Sequence, residues 1–575
     1  MAEEQQLPER PKEADENAEP SEGGEKLSKK ALKKLEKEKE KASHIVILNI
    51  SRPLTCIQAA KKAEMDKAAA AKKAEEEAND VSKGKYGDLP IVGSKDWKPF
   101  TQKRTKLEEL GNEADGNEVL FRADIANARS QSAKLGFLNF RDGLDSIQAV
   151  IAVSEALSRQ MVKFAVTIPA ESMVDVIGTV KEPKEPVNSA TISNREVHIT
   201  QIWVISRSVP QLPIQVEDAE QAIPQEGATG DETGEGGRPI VSLNSRLNNR
   251  TVDLRSTLNH AIFEIRSGVR HAFVEYLEQR KFLTVDSPKL LGSPSEGGAN
   301  VFEVKYYDKK AYLAQSPQLY KQMLIASRFK RVMEIGPVFR AENSNTSRHL
   351  SEYTSLDLEM EFTDDYSEVM FLIRDLLHYI LTQLQTKFAK QTARVQQTYK
   401  APPFQLPAKS EDVPILTYVE GIKMLNDAGI EASEDEDINS TQEKKLGDLV
   451  LEKYKSDFYI LKEYPTAARA FYTFPKGGDL NAKFSNSFDF MMRGQEVLSG
   501  AQRIHNYEML RERLTGLGLN PDDPGFKDYV SCFSYGCPPH GGGAFGIERI
   551  VLNWLDLKNV RLATLFPRDP SRVTP

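Results

Sequence analysis

The residue types best suited to handling anions crowd into a few short stretches of this chain. One runs Gly336-Pro337-Val338-Phe339-Arg340-Ala341-Glu342-Asn343-Ser344-Asn345-Thr346-Ser347-Arg348-His349-Leu350-Ser351-Glu352-Tyr353. It continues into Leu356-Asp357-Leu358-Glu359-Met360-Glu361, where apolar and acidic residues alternate. A second, Gly541-Gly542-Gly543-Ala544-Phe545-Gly546-Ile547-Glu548-Arg549-Ile550-Val551, reads as a glycine-rich strand leading into a helix. A third, Arg280 to Leu291, reads as a helix end passing into a strand broken by Pro288. Arginine presents a planar, permanently charged fork that matches phosphate and carboxylate. Asp489 and Glu496 stand seven positions apart. Taken singly, each feature has a plainer reading: a tight turn beside an ion pair, or two solvated carboxylates.

Elements must position these groups, and the chain is long enough for two folded units plus extensions, at 575 residues. The apolar fraction of 39% is low for a globular body, which a long polar extension would explain. Residues 1–92 supply one: an acidic start, then Leu27 to Lys41, where Leu27, Ala31, Leu32 and Leu35 share a helical stripe among lysines. This segment reads as disordered or helical, either a solvated tail or an electrostatic arm for RNA. Ser43–Gln58 is β-branched and unlike its Ala/Lys/Glu-rich neighbours, and reads as a foreign block such as a translated intron. Peptide mapping that recovers residues 43–58 from the natural protein would contradict that.

From residue 118 the pattern alternates with period two. Strands are expected at Val119–Ile125, Gly136–Phe140, Ser146–Val153, Met173–Val180 and Val197–Ser206, with an Asp142-Gly143 hairpin and a helix at Ser154–Lys163. Five short strands with a helix after the third fit an OB-type barrel, a fold that binds oligonucleotides by stacking and basic contacts. Phe137 beside Arg129, with Gln148 on the next strand, suits such a surface; Phe137 as plain core is the alternative. Gln215–Pro239 is a Glu/Gly/Pro-rich linker. Beyond it, strand-like and helical segments mix without βαβ alternation, which points to an antiparallel α+β domain. The expected division is 1–92 extension, 93–207 barrel, 208–240 hinge and 241–575 α+β domain.

Together and in this order, the three stretches resemble motifs 1, 2 and 3 of the class II aminoacyl-tRNA synthetases. Gln315-Ser316-Pro317-Gln318-Leu319-Tyr320-Lys321-Gln322, Leu498-Ser499-Gly500-Ala501-Gln502-Arg503-Ile504-His505 and Asp569 after Leu565-Phe566-Pro567-Arg568 resemble the aspartyl-tRNA synthetases of eukaryotic cytosol. The resemblance spans about 118 to 575 and extends to the lysine-rich helix of the tail, where it implies tRNA affinity. It implies a ligase of L-aspartate and tRNA-Asp that consumes ATP with Mg²⁺, cytoplasmic and homodimeric through motif 1.

The chemistry agrees with that implication. Attack of a carboxylate on the α-phosphorus of ATP joins two anions and needs no general base, so positioning and charge neutralisation dominate. By resemblance, Arg340 holds the α-phosphate, and Arg549 and His349 take the γ-phosphate. Adenine lies between Arg549 and Tyr353, with Glu342, Leu350, Gly546 and Glu496 also in the ATP site. Asp489 and Glu496 hold Mg²⁺. Lys321 and Arg503 meet the substrate's side-chain carboxylate, while Ser316, Gln318, Asp357, Ser499 and Glu296 complete the amino-acid site. Asparagine would leave those cations poorly compensated, at a cost of several kcal/mol. Gly292–Gly298, bearing Glu296, has the small residues of a mobile lid. Ser344, Asn345 and Thr346 meet the tRNA acceptor end, and Arg129, Phe137, Gln148 and Glu196 the anticodon. Two positions depart from the family: Ser347 replaces a frequent His, and Ala544 a usual Gly whose exchange is expected to preserve activity.

The chain excludes several classes. The charge sum, 76 − 84 = −8, gives no global sign of nucleic-acid binding, so RNA contacts must be local. Three cysteines, Cys56, Cys532 and Cys537, do not make a disulfide scaffold or a four-Cys zinc site. No apolar run reaches the ~20 residues of a membrane span, and the start lacks a signal-peptide pattern. His540-Gly541-Gly542-Gly543 imitates a lipase loop without any Gly-x-Ser-x-Gly turn. The competing functions are a relaxed enzyme that also charges tRNA-Asn, and a non-catalytic RNA-binding relative.

Overall fold

The computed structural model describes residues 80–223, 239–294, 300–344 and 346–575. The lysine-rich helix, the Ser43–Gln58 block, Glu296 with most of its loop, and Asn345 lie outside these.

The first body is a barrel. Its strands are β1 (Tyr86–Asp88), β2 (Glu118–Ser132), β3 (Leu135–Asp142), β4 (Asp145–Ala152), β5 (Met173–Lys181) and β6 (Ile192–Ser206). The sheet order is β1-β6-β4-β3-β2-β5, and β5 also pairs with β6, closing five strands on themselves as an OB-type barrel requires. Alternation makes it fold this way: Val119, Phe121, Ala123 and Ile125 point inward from β2 and are buried. Phe121 meets Phe140 edge-on at 5.4 Å between ring centroids. The helix after the third barrel strand runs Arg159–Thr167, later than expected, because Ser158 is its N-cap and accepts from the Met161 amide. Tyr86–Asp88, which composition assigned to the extension, pairs in parallel with β6. The barrel body therefore begins before residue 93.

The presumed hinge is partly docked. Glu220 accepts from the Thr257 amide at 2.5 Å and the Thr257 hydroxyl at 2.8 Å, and pairs with Arg394.

The second body is built on β7 (Leu283–Thr284), β8 (Leu290–Leu291), β9 (Glu303–Tyr306), β10 (Lys309–Leu313), β11 (Arg331–Phe339), β12 (Glu352–Glu361), β13 (Ile415–Thr417), β14 (Phe458–Lys462), β15 (Ser487–Met492), β16 (Gln495–Gln502) and β17 (His540–Gly546). Eight of these form one sheet in the order β13-β14-β15-β16-β17-β12-β11-β7. Its interior is antiparallel as expected, whereas both edge pairings, β13–β14 and β7–β11, are parallel. Helices Thr257–Glu278 and Ser367–Lys387 cover one face, packing Ile262, Ile265, Phe273, Ile373 and Leu377 against Leu356, Leu358 and Phe545 in a single core. Because side chains alternate, Asp357 and Glu359 project from the opposite face.

Register then lines that face. One row crosses the sheet as Glu334, Asp357, Ala544, Ser499 and Asp489. The next row carries Glu359, Gly542 and Ala501. Gly542 is required by space: a Cβ there would sit 2.1 Å from the Leu358 carbonyl and 2.5 Å from Glu359 Oε2.

Candidate active site

The open face of the sheet carries two adjoining hollows. The first, about 580 Å³, is bordered by Arg340, Glu342, His349, Leu350, Tyr353, Glu496, Gly546 and Arg549, together with Arg348 and Glu548. All eight residues that the sequence assigns to ATP therefore meet at one place, in a volume ordinary for a nucleotide-sized ligand. β11 and β12 bring Arg340 and Tyr353 there, and the end of β17 with the helix Ile547–Leu555 brings Gly546 and Arg549. Arg549 is steadied by donating from Nη1 to the Glu496 carbonyl at 2.9 Å. Both Tyr353 and Arg549 line the hollow, but the cation over the Tyr353 ring is Arg340, 5.5 Å from its centroid. Glu548 is buried and accepts from Arg266 at 2.9 Å and from the Thr354 amide, fixing the helix start against β12.

His349 is held by hydroxyls: Thr346 Oγ1 lies 2.5 Å and Ser344 Oγ 3.3 Å from its Nδ1. Burial lowers its pKa; Glu342 opposes this, and Arg549, Arg348 and Arg340 lower it further. The surroundings thus favour the neutral imidazole. The two loop hydroxyls read as acceptor-end contacts turn inward onto His349.

The second hollow shares Arg340, Tyr353, Glu496, Ala544 and Gly546 with the first and adds Ser316, Gln318, Asp357, Arg469, Ser499 and Arg503. Beneath it lies a charged cluster that is almost wholly buried. Lys321 Nζ is 2.9 Å from Asp357 Oδ1 and 3.5 Å from Glu359 Oε2. Arg503 Nε donates to Glu359 Oε1 at 2.9 Å, and its Nη2 donates to the Gly542 carbonyl at 3.0 Å. Gln318 Nε2 donates to Glu359 Oε2 at 3.2 Å. Burial raises the Glu359 pKa, but Arg503 and Lys321 outweigh it and hold the carboxyl below its ordinary value. Lys321 and Arg503 thus share Glu359 as one anchor; Arg503 lines the hollow together with Arg340, whereas Lys321 is enclosed beneath it. Lys321 Nζ makes its ion pairs without a well-directed hydrogen bond, leaving donor capacity for a further oxygen.

Sequence reasoning did not single out Glu359, although it stands two residues from Asp357 in the quoted acidic alternation, on the same face. Arg469 was missed altogether. It stacks over Tyr464 at 3.8 Å, donates to Ser499 Oγ at 2.7 Å and pairs with Asp489 Oδ2 at 2.7 Å. Its only prior signal was the need of buried Asp489 for a cation.

Asp489 is buried with one oxygen on Arg469, while its Oδ1 has no hydrogen-bond partner. Burial pushes its pKa up; Arg469 opposes and nearby Glu496 adds to this, leaving it at about 6. An orphaned carboxylate oxygen next to a second, half-exposed carboxylate is a hard-oxygen donor set that fits Mg²⁺, which takes few protein ligands and keeps waters. Among the described residues no group of three or more His, Cys, Asp or Glu could hold a metal.

In the barrel, Arg129, Phe137, Gln148 and Glu196 come together on one outer face. Arg129 sits over the Phe137 ring at 5.0 Å, and Gln148 Nε2 donates to Glu196 Oε2 at 3.3 Å. Phe137 is half-buried, pointing away from buried Leu138 and Phe140, so it is not barrel core.

An antiparallel sheet with facing guanidiniums at its glycine-rich strand is the body of a class II synthetase. The family described as tRNA synthetases class II (D, K and N) matches residues 242–570, more than half the chain, and the chain belongs to it. The relatives it resembles are aspartate–tRNA ligases: the cytoplasmic protein of Caenorhabditis elegans is 42% identical over 86% of this chain and 91% of its own length. That of Homo sapiens is 42% identical over 89% and 100%. The structure of the aspartyl-tRNA synthetase from Entamoeba histolytica superposes with a TM-score of 0.76 at 37% identity, covering 85% of this chain and 96% of that one.

Proposed function

We propose that the chain is an aspartate–tRNA ligase that joins L-aspartate to ATP as aspartyl-adenylate, releasing pyrophosphate, and passes the aspartyl group to the 3′-terminal adenosine of tRNA-Asp with release of AMP. The observation that carries this reading is that Asp357 and Arg503 line one hollow with Arg340, over the enclosed Lys321 and Glu359 to which they are paired. Arg503, on the wall of the hollow, offers N–H donors that a carboxylate can accept with either oxygen, whereas an amide would turn its own N–H donors toward them; this disfavours asparagine.

Arg340 holds the α-phosphate between the hollows, so the substrate carboxylate in the second faces phosphorus in the first. Arg549 and His349 take the far phosphates, and Tyr353 stacks on adenine. Asp357, Ser316 and Gln318 read the ammonium group. Asp489 and Glu496 hold Mg²⁺, which, when bound, neutralises phosphate charge. Arg469 keeps Asp489 oriented. Ser344 and Thr346 leave His349 for the acceptor end as tRNA arrives, and the barrel face at Phe137 stacks an anticodon base. Leu283 and Leu290 in the motif 1 segment expose about half their surfaces, which suits burial in a homodimer. A cytoplasmic site of action accords with the relatives' names, and among the described residues no helix is long and apolar enough to cross a membrane.

The test is aspartate-dependent exchange of labelled pyrophosphate into ATP. Exchange that requires both aspartate and Arg340 is expected; a folded protein without exchange would contradict the reading and favour the non-catalytic RNA-binding alternative.

A further inference from the structure

The helix Ser440–Tyr454 belongs to none of the three motif segments and lines neither hollow, yet it contacts Arg348 on the edge of the first. Its first turn is rigid: Asn439 accepts from the Thr441 and Gln442 amides at 3.0 and 3.1 Å, and Gln442 accepts in return from the Asn439 amide at 2.8 Å. From that turn Glu443 and Ser440 reach Arg348. Glu443 Oε2 accepts from Arg348 Nη1 at 3.4 Å, and Ser440 Oγ accepts from Nη2. Arg348 stands on the rim of the hollow next to His349. One turn further along, Gly447 rests on the β15–β16 turn so closely that a Cβ would lie 2.4 Å from Gly494 Cα. Gly494 is two residues from Glu496, so this one helix braces both loops that flank the phosphate end of the hollow.

We propose that Glu443, assisted by Ser440, is a positioning residue for the nucleotide: it holds the Arg348 guanidinium at the rim, aimed for the ATP phosphates. The inference rests on the nucleotide reading of the hollow and not on which amino acid is activated. At 3.4 Å the Glu443 contact is longer than the 2.7–2.9 Å of a tight charge-assisted bond, so it orients the fork without withdrawing it from an anion. A guanidinium has five donors, and this arrangement occupies two of them. Residue 443 is the sole acidic partner of Arg348 among the described ion pairs.

The test is Mg-ATP titration calorimetry, with steady-state exchange kinetics, on the full chain carrying Glu443→Gln, Ser440→Ala, Arg348→Lys, or Glu443→Gln with Arg348→Lys. Glu443→Gln is expected to weaken ATP about fivefold or more, the scale of a lost bond to a charged group. The KM for aspartate should stay within about twofold, because the second hollow is untouched. Ser440→Ala leaves the Asn439 cap intact and should give a smaller loss in the same direction. In the Arg348→Lys background, Glu443→Gln should cost nothing further, a result that a merely structural role would not produce. Tighter ATP binding by Glu443→Gln, unchanged binding, or losses that add in the double variant would overturn the proposal. Wild-type protein that binds no ATP would overturn the nucleotide reading together with it.

Discussion

Glu359 is where residue-scale energetics concentrate. It is fully enclosed and neutralised by two cations that are themselves enclosed, so removing any one charge strands the others. Breaking such a buried pair costs about 3–5 kcal/mol. Arg503→Lys, which cannot reproduce the fork onto Glu359 and Gly542, should lower kcat/KM for aspartate by about 100-fold or more in pyrophosphate exchange. The KM for ATP should be nearly unchanged. The sign of the acid response follows from Glu359's depressed pKa. Its stabilising contribution is complete above the unfolded value of 4.5 and is lost as pH falls through the folded value. Chemical denaturation followed from pH 7 down to 3 should therefore show a shallower acid-side loss in Glu359→Gln than in the parent, from a lower starting stability; an unchanged slope would contradict this. Part of the site at this scale was legible: Arg340 lines both hollows, Arg549 the first, and Asp357 and Arg503 the second, with Lys321 enclosed beneath. Glu359 and Arg469 were not, because alternation tells which face a residue shares but not which distant cation meets it.

At the scale of elements, β17 works by being nearly side-chain-free. Gly542 leaves the space that Glu359 fills, whereas Ala544 sits one row away, between Asp357 and Ser499, with both ladder pairings intact. Gly542→Ala should lower the melting temperature by several degrees and disrupt aspartate binding, since the added methyl meets a backbone carbonyl. Ala544→Gly should change kcat/KM by less than about threefold, because its methyl is already accommodated. Equal damage from both would show that the ladder does not set the site. The strands were readable from period-two alternation, and their ends were less so. Ser158 starts its helix four residues later than the apolar pattern suggests because capping, not hydrophobicity, sets the boundary.

The whole molecule divides its labour between two bodies with separate cores, one of them a closed barrel and the other an eight-stranded sheet. Phe137→Ala removes a stacking platform on the barrel, worth about 1–3 kcal/mol per base. Charging of tRNA-Asp should fall about 5- to 150-fold while tRNA-independent exchange stays at the parental rate. The plan of barrel, connector and α+β body was visible in the sequence. The start of the barrel was not, because the short edge strand Tyr86–Asp88 is recognisable only through its partner β6. A cavity that joins two anions and admits only an acidic side chain must reject the neutral isostere, so amino-acid discrimination is its readout. Pyrophosphate exchange measured side by side with aspartate and asparagine should give kcat/KM at least about 10³-fold higher for aspartate. Comparable exchange with both would contradict the account.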